Sequence, residues 1–182
     1  MSIETLYILC YIWLALAIVV HITMFFVTAP FGRHTSEKWG PMVNNKLGWF
    51  IMELPSLGIM LYYLIAGTYS FESNVWILFL CWLFHYTNRT LIYPMRIHAT
   101  SKKMPLFIVL NAILFNSVNA SLNGYFLAEL AATDCYGKDW LTSWSFILGA
   151  LLFLSGLIIN WKADTILIGL RKPGETGYKI PR

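Results

Sequence analysis

A carboxylate interrupts one of the most apolar stretches of this chain. Glu53 sits in Phe50-Ile51-Met52-Glu53-Leu54-Pro55, with bulky apolar residues on either side. At the centre of a membrane helix an ionised carboxylate costs roughly 3 kcal/mol or more. Glu53 is therefore expected to face a helix bundle's interior and to be protonated or partnered. Two readings are open: an interhelical hydrogen-bonding group, or a functional carboxyl, the default for an ionisable residue inside a membrane. Pro55, two residues on, removes a backbone donor and can kink the helix there.

A second group reads Phe84-His85-Tyr86-Thr87-Asn88-Arg89-Thr90-Leu91-Ile92-Tyr93-Pro94. At helical spacing Tyr86, Arg89 or Thr90, and Tyr93 share one face. That face offers two phenols that can donate from an apolar pocket and a guanidinium whose fork suits phosphate. An interfacial aromatic belt with a snorkelling Arg is the competing reading. Asn88-Arg89-Thr90 also spells a glycosylation acceptor, discounted because it falls at a cytoplasmic helix end. A third group, Asn116, Asn119 and Asn123, is spaced to put three amides on one helix face, directed inward. They either tie helices together or line a polar cavity. A fourth group places Asn160, Asp164, Leu167 and Arg171 on one stripe, so that amide, carboxylate and guanidinium share a face. Lys172-Pro173-Gly174 ends that helix.

The elements that carry these groups are membrane helices. Of the 182 residues 58% are hydrophobic and only 12% charged, and mean hydropathy is +0.61. Soluble domains are about a quarter charged. The apolar runs approach 20 residues, the thickness of a bilayer core, and lack the polar stripe of a soluble amphipathic helix. Five spans are predicted: Leu6–Thr28, Leu47–Tyr69, Val75–Tyr93, Met104–Leu130 and Leu141–Asn160. The fold class is all-α, a polytopic transmembrane bundle.

Basic residues alternate with the connections. Arg33, Lys38 and Lys46 follow the first span, and Arg89, Arg96, Lys102 and Lys103 close the third. Lys162, Arg171, Lys172, Lys179 and Arg182 follow the fifth. Of the 13 Lys and Arg residues only Lys138 falls on the opposite side. The positive-inside rule then places the N-terminus outside or in the lumen, and the basic loops and C-terminus in the cytoplasm. The net charge of +4 needs no nucleic acid, because topology and anionic membrane lipids account for it. No obligatory protein partner is implied. The three cysteines and four histidines are scattered, so no metal site or disulfide framework is expected. There is no GxGxxG after a strand and no Walker loop, so a nucleotide would not be held by a Rossmann fold. A transporter or lipid-binding scaffold, with Glu53 as a proton relay and the asparagines lining a pore, fits the same residues.

Several stretches recur together in a known order. They are Gly32-Arg33-His34-Thr35-Ser36, Glu53-Leu54-Pro55-Ser56, and His85-Tyr86 with Arg89-Thr90 and Tyr93-Pro94. Asn160, Asp164 and Leu167 come next, then Leu170-Arg171-Lys172-Pro173-Gly174-Glu175 and Gly177-Tyr178-Lys179-Ile180-Pro181. Singly each is weak. Together, from about residue 32 to the end, the chain resembles the membrane-embedded steroid 5α-reductases, also called 3-oxo-5-alpha-steroid 4-dehydrogenases. The resemblance implies an oxidoreductase acting on a CH–CH group, folded as seven transmembrane helices around a cavity for NADPH and a steroid or steroid-like lipid. Hydride would pass to C5 of a 3-oxo-Δ4 steroid; another enone lipid or a polyprenol is the close alternative. Glu53 and Tyr86 match the family's catalytic pair, which hydrogen-bonds the substrate ketone. Cofactor-binding positions match Arg89, Tyr93, Asn160, Asp164, Leu167, Arg171, Tyr178 and Lys179, with Arg96 beside them. Residues 1–182 would form one membrane-embedded reductase domain, five helices of the family's seven, C-terminally incomplete because the family continues with a Gly-rich stretch and two further helices.

Overall fold

The computed structural model describes residues 1–68, 73–97, 102–131 and 136–170. Five helical rods make up nearly all of it. α1 spans Ile3–Thr23 and α2 spans Asn45–Ala66. α3, Trp76–Thr87, passes through a π turn at Asn88–Ile92 into a single further turn, α4, Tyr93–Arg96. α5, Leu106–Tyr125, also ends in a π turn, Phe126–Leu130. α6 runs from Trp144 to Gly169. α1, α2, α5 with its π turn, and α6 are each long and apolar enough to cross a membrane.

Side-chain caps fix the starts of the rods. Ser2 Oγ accepts from the Thr5 N–H at 3.2 Å, Asn44 Oδ1 from Lys46 N–H at 2.9 Å, and Ser143 Oγ from Phe146 N–H at 3.2 Å. These short polar side chains meet the orphan donors of a helix's first turn. α1 stops five residues short of the predicted Thr28, trailing off in turns before Pro30. A small antiparallel ribbon was not expected. β1, Met42–Asn44, pairs with β2, Lys103–Pro105, in the register Met42↔Pro105, Val43↔Met104 and Asn44↔Lys103. It displaces the predicted start of the fourth span from Met104 to Leu106, because a residue before proline is held in extended backbone.

α2 is the centre of the molecule. It packs along α5 and against α3. Glycine allows the α2–α5 approach: a Cβ on Gly124 would lie 2.3 Å from Tyr63 Cδ2, and one on Gly48 would lie 3.3 Å from Val109 Cγ2 on α5 and 2.6 Å from Met104 Sδ in β2. Small residues at such crossings let helix backbones come close. Two apolar clusters result, one of Met60, Val75, Phe79, Leu127 and Ala128, the other of Met52, Met104 and Val109. Glu53 and Ser56 lie on α2 between the two methionines, so a polar layer separates the clusters. α1 and α6 bury little of themselves; Leu157 and Asp164 are the buried residues of α6. Their apolar faces suit lipid contact.

Candidate active site

Glu53 is 8% exposed, buried in the polar layer. The expected partner is there. Arg89 Nη2 lies 3.5 Å from Glu53 Oε1, while Arg89 Nη1 donates to Asp164 Oδ2 at 3.4 Å. One guanidinium therefore bridges α2 and α6. It also lies over two aromatic rings, 4.5 Å from the centroid of Trp49 and 4.9 Å from that of Tyr93. Those two rings meet edge to face at 5.0 Å. A planar, weakly hydrated cation suits this pocket better than an ammonium would.

The second oxygen of Glu53 is also engaged. Asn116 Nδ2, on α5, donates to Glu53 Oε2 at 3.3 Å and to Met52 O at 2.6 Å. Three helices thus converge on one carboxylate. On α3, Tyr86 stacks on Trp82 with ring centroids 5.0 Å apart and planes 26° apart. Trp82 Nε1 donates to Ser56 O at 3.0 Å, which anchors that stack to α2 one turn beyond Glu53.

The π turn revises the predicted face on which Tyr86, Arg89 and Tyr93 lie together. The Tyr93 N–H bonds Asn88 O, five residues back. Such a turn takes in one extra residue, and each residue rotates a helix by about 100°. Tyr86 accordingly meets Trp82 and Ser56 while staying within electrostatic reach of Glu53 and Arg89, and Tyr93 lies with Trp49 and Arg89. The asparagine row is corrected as well. Asn116 is buried, but Asn123 is exposed and donates to Asn119 O and Oδ1 on its own helix. Asn88, in the discounted acceptor motif, is only 6% exposed.

On α6 the predicted stripe divides. Asp164 is 6% exposed and faces Arg89. Asn160 is half-buried, and its Oδ1, shielded from solvent, has no hydrogen-bond partner among the described residues. Arg96 Nη2 donates to Thr165 Oγ1 at 2.8 Å, a second tie from α4 to α6. Leu167 is 51% exposed and takes no part in the cluster. Arg171, Tyr178 and Lys179 lie outside the described residues.

Trp49 and Trp82 were missed as site residues. Trp49 had a signal, since it lies four residues before Glu53 and hence on the same helix face. Trp82 had the same relation to Tyr86. In an aromatic-rich membrane helix neither spacing stands out from ordinary packing.

Comparison with known proteins gives a consistent set of relatives. A family model described as 3-oxo-5-alpha-steroid 4-dehydrogenase matches residues 102–182. The chain is 34% identical over 183 aligned positions to the steroid 5-alpha-reductase DET2 of Gossypium hirsutum, covering 98% of this chain and 70% of that protein. It is 38% identical to 3-oxo-5-alpha-steroid 4-dehydrogenase 1 of Bos taurus, covering 96% of this chain and 68% of that one. With the Homo sapiens protein of the same name it shares 39% identity over 84% of this chain and 58% of the other. The chain is shorter than each of them.

Proposed function

The chain belongs to the steroid 5-alpha-reductase (3-oxo-5-alpha-steroid 4-dehydrogenase) family, and on that premise we propose that it reduces the 4,5 double bond of a 3-oxo-Δ4 steroid with NADPH. The observation that carries the reading is a carboxyl, Glu53, buried between helices within electrostatic reach of a half-buried phenol, Tyr86, with a guanidinium at hand.

When bound, the cofactor supplies the hydride. Addition at C5 sends the electron pair of the double bond toward the 3-keto oxygen, which becomes enolate-like until a proton ultimately from solvent returns the pair to C4 and completes the saturated ketone. The protein's task is to meet that charge with donors already in place, and one such donor is typically worth about 3–4 kcal/mol. The Tyr86 O–H is one donor. Glu53 is the second: as placed it pairs with Arg89 and accepts from Asn116, and in its neutral form the carboxyl can donate. The apolar walls of Met52 and the α2–α3 aromatics exclude water from the reacting carbons.

The residues present suit a dinucleotide. Arg89 offers a fork for phosphate, and Asn160 Oδ1 is a buried acceptor still lacking a donor. Asp164, Tyr93 and Arg96 lie within the same α3–α4–α6 cluster, and Arg171, Tyr178 and Lys179 would complete the set. Leu167 would contribute only an apolar surface. We place this mouth on the cytoplasmic side, with the N-terminus opposite. The basic residues collect there, and a soluble anionic cofactor enters from water.

Purified chain incubated with NADPH and a panel of lipids tests the reading. Saturation of a 3-oxo-Δ4 steroid, with NADPH consumed one for one, is expected. Turnover confined to another enone or a polyprenol would replace the substrate, and absence of NADPH binding would end the reading.

A further inference from the structure

Ser56 carries a hydroxyl with no made hydrogen bond in a place where that is unfavourable. The residue is 0% exposed, and its Oγ has no hydrogen-bond partner among the described residues. A serine inside a helix ordinarily turns its hydroxyl back to the carbonyl four residues earlier. Here that carbonyl is Met52 O. In an α-helix it already accepts the Ser56 N–H, and Asn116 Nδ2 donates to it at 2.6 Å. A carbonyl oxygen has two lone pairs, so the usual outlet is closed.

The phenol of Tyr86 lies across the α2–α3 interface from it, close enough to interact but without a made hydrogen bond. The backbone fixes this proximity. Trp82 Nε1 holds Ser56 O at 3.0 Å, and the Trp82 ring stacks on Tyr86 at 5.0 Å. One indole therefore sets the distance between serine and tyrosine.

We propose that Ser56 is the positioning residue of Tyr86: its O–H donates to the phenol oxygen and leaves the phenol proton free for the substrate ketone. The inference rests on the reading of Tyr86 as a ketone donor. A phenol has one proton and two lone pairs. A donor filling one lone pair fixes the ring's O–H direction and makes that O–H a stronger donor through cooperative polarisation. Asn116 serves the same arrangement indirectly, since by occupying Met52 O it denies Ser56 its local bond. A hydroxyl kept unpaired in the empty protein, at a cost to stability, fits a role taken up when substrate arrives.

The test is a double-mutant cycle on the purified chain with NADPH and a 3-oxo-Δ4 steroid, combined with thermal unfolding in detergent. Ser56→Ala should lower kcat about tenfold, the worth of one hydrogen bond, with little change in KM. Its Tm without ligand should equal or exceed that of the parent, because an unsatisfied buried hydroxyl has been removed. On a Tyr86→Phe background the same change should cost nothing further. Trp82→Phe keeps the stack but loses the N–H to Ser56 O, and should reproduce a smaller part of the kcat loss. Unchanged kcat in Ser56→Ala, or a loss that adds to that of Tyr86→Phe or comes with a lowered Tm, overturns the inference while leaving Tyr86 as the donor. Near-normal turnover in Tyr86→Phe removes the donor itself, and the positioning role with it.

Discussion

Arg89 Nη2 lies 3.5 Å from Glu53 Oε1, and the same guanidinium reaches Asp164 on α6 at 3.4 Å. All three side chains are largely buried, with 15% of Arg89, 11% of Glu53 and 9% of Asp164 exposed. Removing the cation leaves two carboxyls without it. Breaking a buried pair in this way typically costs about 3–5 kcal/mol. The separations here are long for charge-assisted bonds, so Arg89→Ala should fall at the low end. Thermal unfolding would show a Tm lowered by several degrees. Arg89→Lys keeps the charge but loses the fork and the stacking on Trp49 and Tyr93, and should recover only part of the loss. Glu53→Gln introduced beside Arg89→Ala should restore stability, since one stranded carboxyl is gone. A double variant no more stable than Arg89→Ala would show that the pairing does not hold α2 to α3.

Catalysis separates from that structural role. Glu53→Leu deletes the carboxyl, where Gln would still offer an amide donor, and Tyr86→Phe deletes the phenolic donor. Each should reduce kcat by about 10²–10³, the usual effect of losing one oxyanion donor. NADPH binding, followed by thermal shift, should persist in both. Near-normal turnover in either variant would remove that residue from the chemistry. Arg171→Ala, in the cofactor set, should show the reverse pattern, with NADPH protection lost.

The two ends of the asparagine row should behave differently. Asn116→Ala removes donors to Met52 O and Glu53 Oε2 and leaves a buried carboxylate oxygen unmet, at a cost of about 1–3 kcal/mol. Asn123 is exposed and, among the described residues, bonds only to Asn119 on its own helix, so Asn123→Ala should stay within about 0.5 kcal/mol of the parent. Denaturant or thermal unfolding of the pair decides it. Equal effects would mean that α5 is turned differently against α2.

That contrast shows where sequence reading reached and where it stopped. Apolar run length located all five rods, and four of them have the length that bilayer thickness sets, while the α3 rod, predicted as a span, falls short of it. Glu53 was recognisable from its cost alone, and the need for a partner followed. Which partner did not follow. Arg89 and Asn116 reach Glu53 because α3 and α5 pack on α2 in one rotation, and a rotation between helices leaves no mark in the period of either one. The π turn at Asn88–Ile92 was hidden for a related reason. Its residues read as ordinary helix, yet across it Tyr86 stacks on Trp82 and Tyr93 meets Trp49. Asn123 was assigned inward because three amides at i, i+3 and i+7 suggest a shared partner. Here the last two satisfy each other along their own helix.

The α2–α5 crossing gives the sharpest structural prediction. Gly124 is buried against Tyr63, and a Cβ there would stand 2.3 Å from Tyr63 Cδ2 and 3.0 Å from Cγ. The ring cannot simply swing clear. Tyr63 packs against the cluster around Met60 and Phe79, and meets Tyr125 edge to face at 6.3 Å. Gly124→Ala should therefore push the helices apart, at a cost of about 1–3 kcal/mol. Gly58, on α2, has nothing within 4 Å of the corresponding position. There Ala relieves the backbone entropy of a mid-helix glycine, so Gly58→Ala should be neutral or stabilising by up to about 1 kcal/mol. Opposite signs in thermal unfolding support a crossing tight at Gly124. Matching signs would mean that the helices cross elsewhere, and the distance from Asn116 to Glu53, which depends on that crossing, would have to be redrawn.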